Sequence, residues 1–167
     1  RNLVISEGVI EVPAYAFQNC TSLRKVKFPS TITKIGSHAF DGCKGLPSIS
    51  LDKNLETIGN YAFQNCDGVL VMNIPENVSV IEDDAFANCD NLGKIYLGTK
   101  ASSIGKNIFQ NTQEVVVYCN YYSYATIYAI KNAIPFMSTG TFTDREEYVL
   151  DRDKTSYYAD LNGMTTN

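Results

Sequence analysis

Apolar positions along this chain recur in fixed columns. Leu23, Val26 and Phe28 are matched by Leu46, Ile49 and Leu51, then by Val69, Met72 and Ile74, then by Leu92, Ile95 and Leu97. The L-x-x-L-x-L spacing predicts a short strand with alternate residues inward. Strands are expected near residues 2–5, 25–28, 48–51, 71–74, 94–97 and 115–119. Pro29, Asp52, Pro75 and Gly98 follow the strand columns, and a proline, which cannot donate to a ladder, ends a strand. A second apolar pair comes next: Ile32/Ile35, Leu55/Ile58, Val78/Ile81 and Ala101/Ile104. Gly36, Gly59 and Gly105 then mark a bend, with Glu82 as the exception.

The rest of each copy carries Ala16-Phe17, Ala39-Phe40, Ala62-Phe63, Ala85-Phe86 or Ile108-Phe109, each phenylalanine 23 residues after the last. Ser37, Asn60 and Asp83 have the side chains of helix N-caps, so a short helix is expected around each Ala-Phe pair. Lys106 breaks that column. Asn19, Gly42, Asn65, Asn88 and Asn111 close the unit. Only asparagine and glycine occur there, the types that tolerate positive φ, so each helix should end in a left-handed residue. Identical turns stacked along one axis give a parallel sheet at about 4.8 Å spacing, with the phenylalanines as an interior column.

Both ends depart from the pattern. Leu3, Ile5, Val9 and Val12 fill the first copy's columns, but Pro13 replaces the glycine. An uncovered solenoid end is an aggregation liability, so a longer precursor is expected upstream. In the last copy, deleting one position turns Val115, Val117 and Cys119 inward and Tyr118 outward. Ser123 can cap a closing helix through about Asn132, with Ala125, Tyr128, Ala129 and Ile130 on its apolar side. Ile134-Pro135-Phe136 reads as extended, and the helix is expected to lie over the sheet end as a lid. Residues 1–137 thus form one repeat domain, closed by a helix at about 122–132. Residues 138–167 are polar and read as a linker or the start of a further module, with Tyr148-Val149-Leu150 and Tyr157-Tyr158 able to pair as a hairpin.

Hydrophobic content of 44% supports a continuous core. The net charge of −4 argues against a nucleic-acid partner, which calls for a basic stripe. No apolar run approaches the roughly 18 residues of a membrane-spanning helix. Cys20, Cys43, Cys66 and Cys89 keep the repeat register, Thr112 takes the fifth place, and Cys119 lies beyond. With no C-x-x-C pair, neither a zinc knuckle nor a redox motif is supported. Packed free thiols are favoured, and pairing between neighbouring turns stays open.

The unit I-x-x-I-G-x-x-A-F-x-N-C-x-x-L-x-x-I-x-L-P, seen from Ile58-Gly59 to Cys66 and from Ile81 to Gly98, resembles the BspA-type leucine-rich repeats of bacterial surface proteins. Val117-Tyr118-Cys119, Ser123-Tyr124-Ala125 and Tyr128-Ala129 resemble that family's closing segment. The resemblance implies a right-handed α/β solenoid with a parallel sheet on its concave face and short helical turns on its convex face. It also implies export to the cell surface or secretion, a role in adhesion or protein binding, and no shared catalytic residues.

His38 is the single histidine, in a column with Tyr15, Tyr61, Asp84 and Asn107 that reads as solvent-facing. Without a second histidine, neither a metal site nor a Ser-His-Asp triad is supported. Tyr15, His38 and Tyr61 suit stacking on a sugar, and equally suit packing over the turns. Asp151-x-Asp153-x-Thr155 opens like a calcium loop but lacks its glycine and bidentate glutamate. Asn19-Cys20-Thr21 and Asn77-Val78-Ser79 fit the glycosylation acceptor pattern. What remains is the outward side of the strands: Lys25, Lys27, Ser48, Ser50, Val71, Asn73, Lys94 and Tyr96. Solenoids bind along such a surface. These residues are the expected contact face for a host or bacterial surface protein, with Lys25 and Lys27 near Lys94 and Tyr96 meeting an acidic partner. Carbohydrate binding and a passive spacer role are the alternatives. Neither a cofactor nor an enzymatic activity is indicated.

Overall fold

The structure, a computed structural model, describes residues 1–139. Strands β1 (Asn2–Val4), β3 (Lys25–Lys27), β5 (Ser48–Ser50), β7 (Val71–Asn73), β9 (Lys94–Tyr96) and β11 (Val116–Cys119) lie in the six expected windows. Val26, Ile49, Met72 and Ile95 are the buried middle residues of β3, β5, β7 and β9. In the last turn Val115, Val117 and Cys119 are buried while Tyr118 is only half-buried.

The second apolar pair makes strands of its own. They are β2 (Glu11–Val12), β4 (Lys34–Ile35), β6 (Thr57–Ile58), β8 (Val80–Ile81) and β10 (Ser103–Ile104), joined in one five-stranded parallel sheet. Each turn therefore contributes two short strands to two faces of a parallel-sheet solenoid. The first face is not one continuous ladder. β1 pairs with β3 alone, and β5, β7, β9 and β11 form a second sheet completed by β12 (Phe136–Ser138). Ahead of β3 and β9 the residue before the strand donates to the turn below, Arg24 N–H to Arg1 at 2.8 Å and Gly93 N–H to Leu70 at 3.0 Å. Pro47 occupies that column before β5 and has no N–H, so the entry bond between β3 and β5 cannot form.

The expected short helices around the Ala-Phe pairs are replaced by turns. Tyr15, His38, Tyr61, Asp84 and Asn107 all have φ of 54–62°, and Asn19, Gly42, Asn65, Asn88 and Asn111 are left-handed as well. Two left-handed residues four apart leave no room for a right-handed helical turn. The backbone is satisfied in another way. Ala16, Gln18 and Cys20 donate within their own turn to Pro13, Tyr15 and Phe17, while Tyr15, Phe17 and Asn19 donate to Ser37, Ala39 and Asp41 of the next. The former N-cap candidates serve the following turn: Asn60 Oδ1 accepts from Asp83 N–H at 3.1 Å and Asp83 Oδ1 from Lys106 N–H at 2.8 Å. Gly36 and Gly59 are required by close approach of the turn below, since a Cβ there would meet Ala14 N at 2.7 Å or Ser37 N at 2.8 Å.

Phe40, Phe63 and Phe86 are fully buried, and the rings from Phe17 to Phe109 stack at centroid distances of 5.3–6.1 Å. Helix α1 (Tyr124–Lys131) starts at Ser123, whose Oγ accepts from Thr126 N–H at 3.4 Å, and it packs on β10 and β11. The hairpin and calcium-like fragments anticipated beyond residue 139 lie outside the described residues.

Candidate functional site

The outward residues of the first face form two rows fixed by strand register. One runs Ser48, Val71, Lys94, Val116, and the other Ser50, Asn73, Tyr96, Tyr118, Met137. Lys25 and Lys27 stand beyond them on β3, with β5 and β7 between them and Lys94. The anticipated neighbourhood of the two lysine groups is thus a separation of three strand steps, about 15 Å. Lys25, Lys27, Ser48, Ser50, Val71, Asn73 and Lys94 are exposed and Tyr96 is half-buried.

Tyr118 completes what the repeat columns began. Its ring stacks on Tyr96 at 4.7 Å between centroids, and Lys94 Nζ lies 5.9 Å from its centre. Such a cation–π contact holds a lysine head group near a flat platform. The signal for Tyr118 was its outward place in the last turn, one residue out of strict register. No acidic residue occurs in any strand of this face. Lys25, Lys27 and Lys94 take no part in the ion pairs among the described residues, which join Lys34 to Glu11 and Lys44 to Asp67 at 3.0 Å and His38 to Asp41 at 3.1 Å. The strip is therefore positive on a chain whose net charge is negative.

The opposite region is built for cohesion. Asn111 Nδ2 donates to Asn88 at 3.0 Å, Asn88 Nδ2 to Asn65 at 3.1 Å, and Asn65 Nδ2 to Asp41 at 2.8 Å. Asp41 also accepts from Gln18 at 2.9 Å and His38 at 3.1 Å. Burial alone would raise its pKa, but the hydrogen bonds from Gln18, His38 and Asn65 and the nearby His38 charge hold it below the usual carboxylate value. The column read as solvent-facing is so at Tyr15 and Asn107, which are exposed, while His38 and Tyr61 are half-buried. His38 is sandwiched between Tyr15 and Tyr61 at 4.8 and 4.7 Å, while Asp84 is buried. Both faces of His38 and one face of each tyrosine are thus used by neighbouring rings.

The cysteines are free, and Cys20 alone is exposed. Cys43, Cys66 and Cys89 donate through Sγ to the carbonyls of Phe17, Phe40 and Phe63 at 3.1–3.2 Å. Thr112 makes the equivalent bond to Phe86 at 2.9 Å, which explains why a hydroxyl can replace the thiol. Burial pushes the Cys43 thiol up to about 11 and that of Cys89 to about 12, and raises Cys66 strongly. A cleft of about 250 Å³ lies between the last turn and α1, lined by Asn107, Phe109, Thr112, Tyr128 and Ile134 among others. Tyr128 is the one titratable group on its wall, and it accepts a hydrogen bond from Ile108 N–H at 3.2 Å. The cleft therefore offers no nucleophile–base pair. Among the described residues no group of three or more His, Cys, Asp or Glu side chains could hold a metal ion, and no helix is long and apolar enough to cross a membrane.

The profile of the BspA type Leucine rich repeat region matches residues 1–116 in six copies. The chain belongs to this leucine-rich repeat family. Among solved structures, the repeat domain is similar to the T. pallidum leucine-rich repeat protein, with 32% identity and a TM-score of 0.68 over 70% of this chain and 57% of that one. It is similar to a leucine-rich repeat protein from Bacteroides ovatus, with 33% identity and a TM-score of 0.64 over 70% of this chain and 30% of that one. A leucine rich cell surface protein from Faecalibacterium prausnitzii matches at 28% identity and a TM-score of 0.70, over 84% of this chain and 35% of that one. The chain thus spans between about a third and about three fifths of these proteins' lengths. Comparison with curated proteins gives no match.

Proposed function

We propose that the repeat domain is an extracellular protein-interaction or adhesion module of a bacterial surface protein, binding a host or bacterial surface protein through the outward strand strip. The observation that supports this best is the strip itself. Among the described residues Lys25, Lys27 and Lys94 stand without ion-pair partners, Lys94 beside the Tyr96–Tyr118 platform, on strands that carry no acid. A tyrosine platform with a lysine at its face, on a strip that carries further lysines, has the composition of an interaction surface, with aromatic side chains and charge for steering. The rest of the molecule supports a scaffold role: its polar side chains are bonded from turn to turn, and its cleft holds no catalytic pairing. The family and the Faecalibacterium relative's description as a cell surface protein support placing this module at the cell surface.

Protein-array screening of the chain tests the reading. Partners should be lost when Lys25, Lys27, Lys94 and Tyr96 are replaced together by alanine, while the melting temperature stays close to that of the parent. Retention of every partner by the fourfold variant would remove the strip from the binding surface.

A further inference from the structure

We infer that the strip's ligand is an extended acidic segment of a partner protein, crossing the strands and carrying an aromatic side chain about four residues from its carboxylates. The inference rests on the strip being the binding face and specifies what that face selects. Charge sets the first requirement. The chain is negative overall, yet the strands of this face hold Lys25, Lys27 and Lys94 and no Asp or Glu. Those ammonium groups are exposed and form no ion pair among the described residues, so an incoming carboxylate displaces no acidic partner there.

The second requirement comes from the unequal ends. β3 presents two lysines flanking an inward valine, whereas β9 and β11 present stacked tyrosines with one lysine at the ring face. Between them β5 and β7 carry Ser48, Ser50, Val71 and Asn73, side chains short enough for a backbone to lie close. Three strand steps separate the ends, about 15 Å, which an extended chain rising about 3.3 Å per residue covers in four to five residues. A segment running along a strand would meet only three residues before leaving the face, so it could not reach both ends. Crossing the strands is the course that engages lysines and tyrosines together.

Panning a random peptide display library on the immobilised chain tests this. Enriched peptides should carry paired acidic residues and an aromatic residue about four positions apart. They should bind about tenfold more weakly to the double variant Lys25→Glu, Lys27→Glu, and separately to Tyr96→Ala, Tyr118→Ala, with further weakening as salt is raised. Lys25→Ala, Lys27→Ala replaces the charge reversal if the latter lowers the melting temperature. Peptides that depend on these residues but lack the acid or the spacing would overturn the inference and leave the binding face in place. Peptides indifferent to both variants would overturn the face as well. No enrichment over the bare support would also overturn the inference, because a strip of this kind has to retain such segments from a random library.

Discussion

The phenylalanine column shows how a single residue type carries the array. Phe63 is fully buried and stacks on Phe40 at 5.5 Å and Phe86 at 5.8 Å, so its removal leaves a void flanked by two rings that cannot collapse into it. Phe63→Ala should lower unfolding free energy by about 3–5 kcal/mol in urea titration, against less than about 0.5 kcal/mol for the exposed Lys25→Ala. Asp41 is a different kind of residue-scale determinant. Its pKa is lower folded than unfolded, so its contribution is present above the ordinary carboxyl range and lost as pH falls through the depressed value. Asp41→Asn should therefore flatten the acid side of the stability–pH profile. It should also cost about 1–2 kcal/mol at neutral pH, because the new amide nitrogen opposes a donor in either orientation, Asn65 at one oxygen position or Gln18 and His38 together at the other. Equal acid slopes in parent and variant would show that Asp41 does not carry this dependence. The asparagine column announced its left-handed backbone, because few side chains tolerate that conformation. The column of Tyr15, His38 and Tyr61 did not, because aromatic residues rarely adopt it. Only Asp84 and Asn107 in the same column hinted at positive φ, and their hint was outweighed by the apparent variability.

At the scale of elements, the strands were legible and the turns were not. An L-x-x-L-x-L column states its own burial, and each of the six windows holds a strand. The second apolar pair was too short to declare a strand by periodicity. Two residues acquire that identity only from the copies above and below, as Val12, Ile35, Ile58, Ile81 and Ile104 do in the second sheet. The Ala-Phe segment looked helical because Ser, Asn and Asp precede it. The Asn60 and Asp83 side chains instead serve the neighbouring turn, a relation 23 residues away that no local reading can see. Pro47 stands at the break in the first face, and its missing N–H is legible in the sequence, although the repeat pattern draws attention to prolines that follow a strand and not to one that enters it. Pro47→Val restores the N–H facing Arg24. Hydrogen exchange of the β5 amides should slow in the variant as β3 and β5 join one ladder. Unchanged exchange would mean that something other than the missing donor holds the two strands apart.

Across the whole molecule, the same bonds recur from one turn to the next, so the array is a set of parallel cords: stacked rings, amides, thiols and backbone. The thiol cord links chemistry to setting. Export, as proposed for this domain, would place it in oxidising surroundings, where cysteines ordinarily pair. Here Cys43, Cys66 and Cys89 are buried, each donates to a carbonyl of the turn below, and burial holds all three thiols protonated well past neutral pH. Cys119 is buried beside Thr126 with its pKa likewise raised. Since thiolate is the species that attacks a disulfide, these four should be inert to exchange while the solenoid is folded. Titration of the native chain with an aromatic disulfide reagent should therefore register one fast thiol, Cys20, and the remaining four only after denaturation. The melting temperature should be the same with and without reductant. Two or more fast thiols in the native chain, or a melting point that drops on reduction, would show that the cysteine column is held by pairing and not by hydrogen bonds to the phenylalanine carbonyls. The replacement of cysteine by Thr112 at the end of the column already favours the hydrogen bond, because a hydroxyl can donate to Phe86 but cannot form a disulfide.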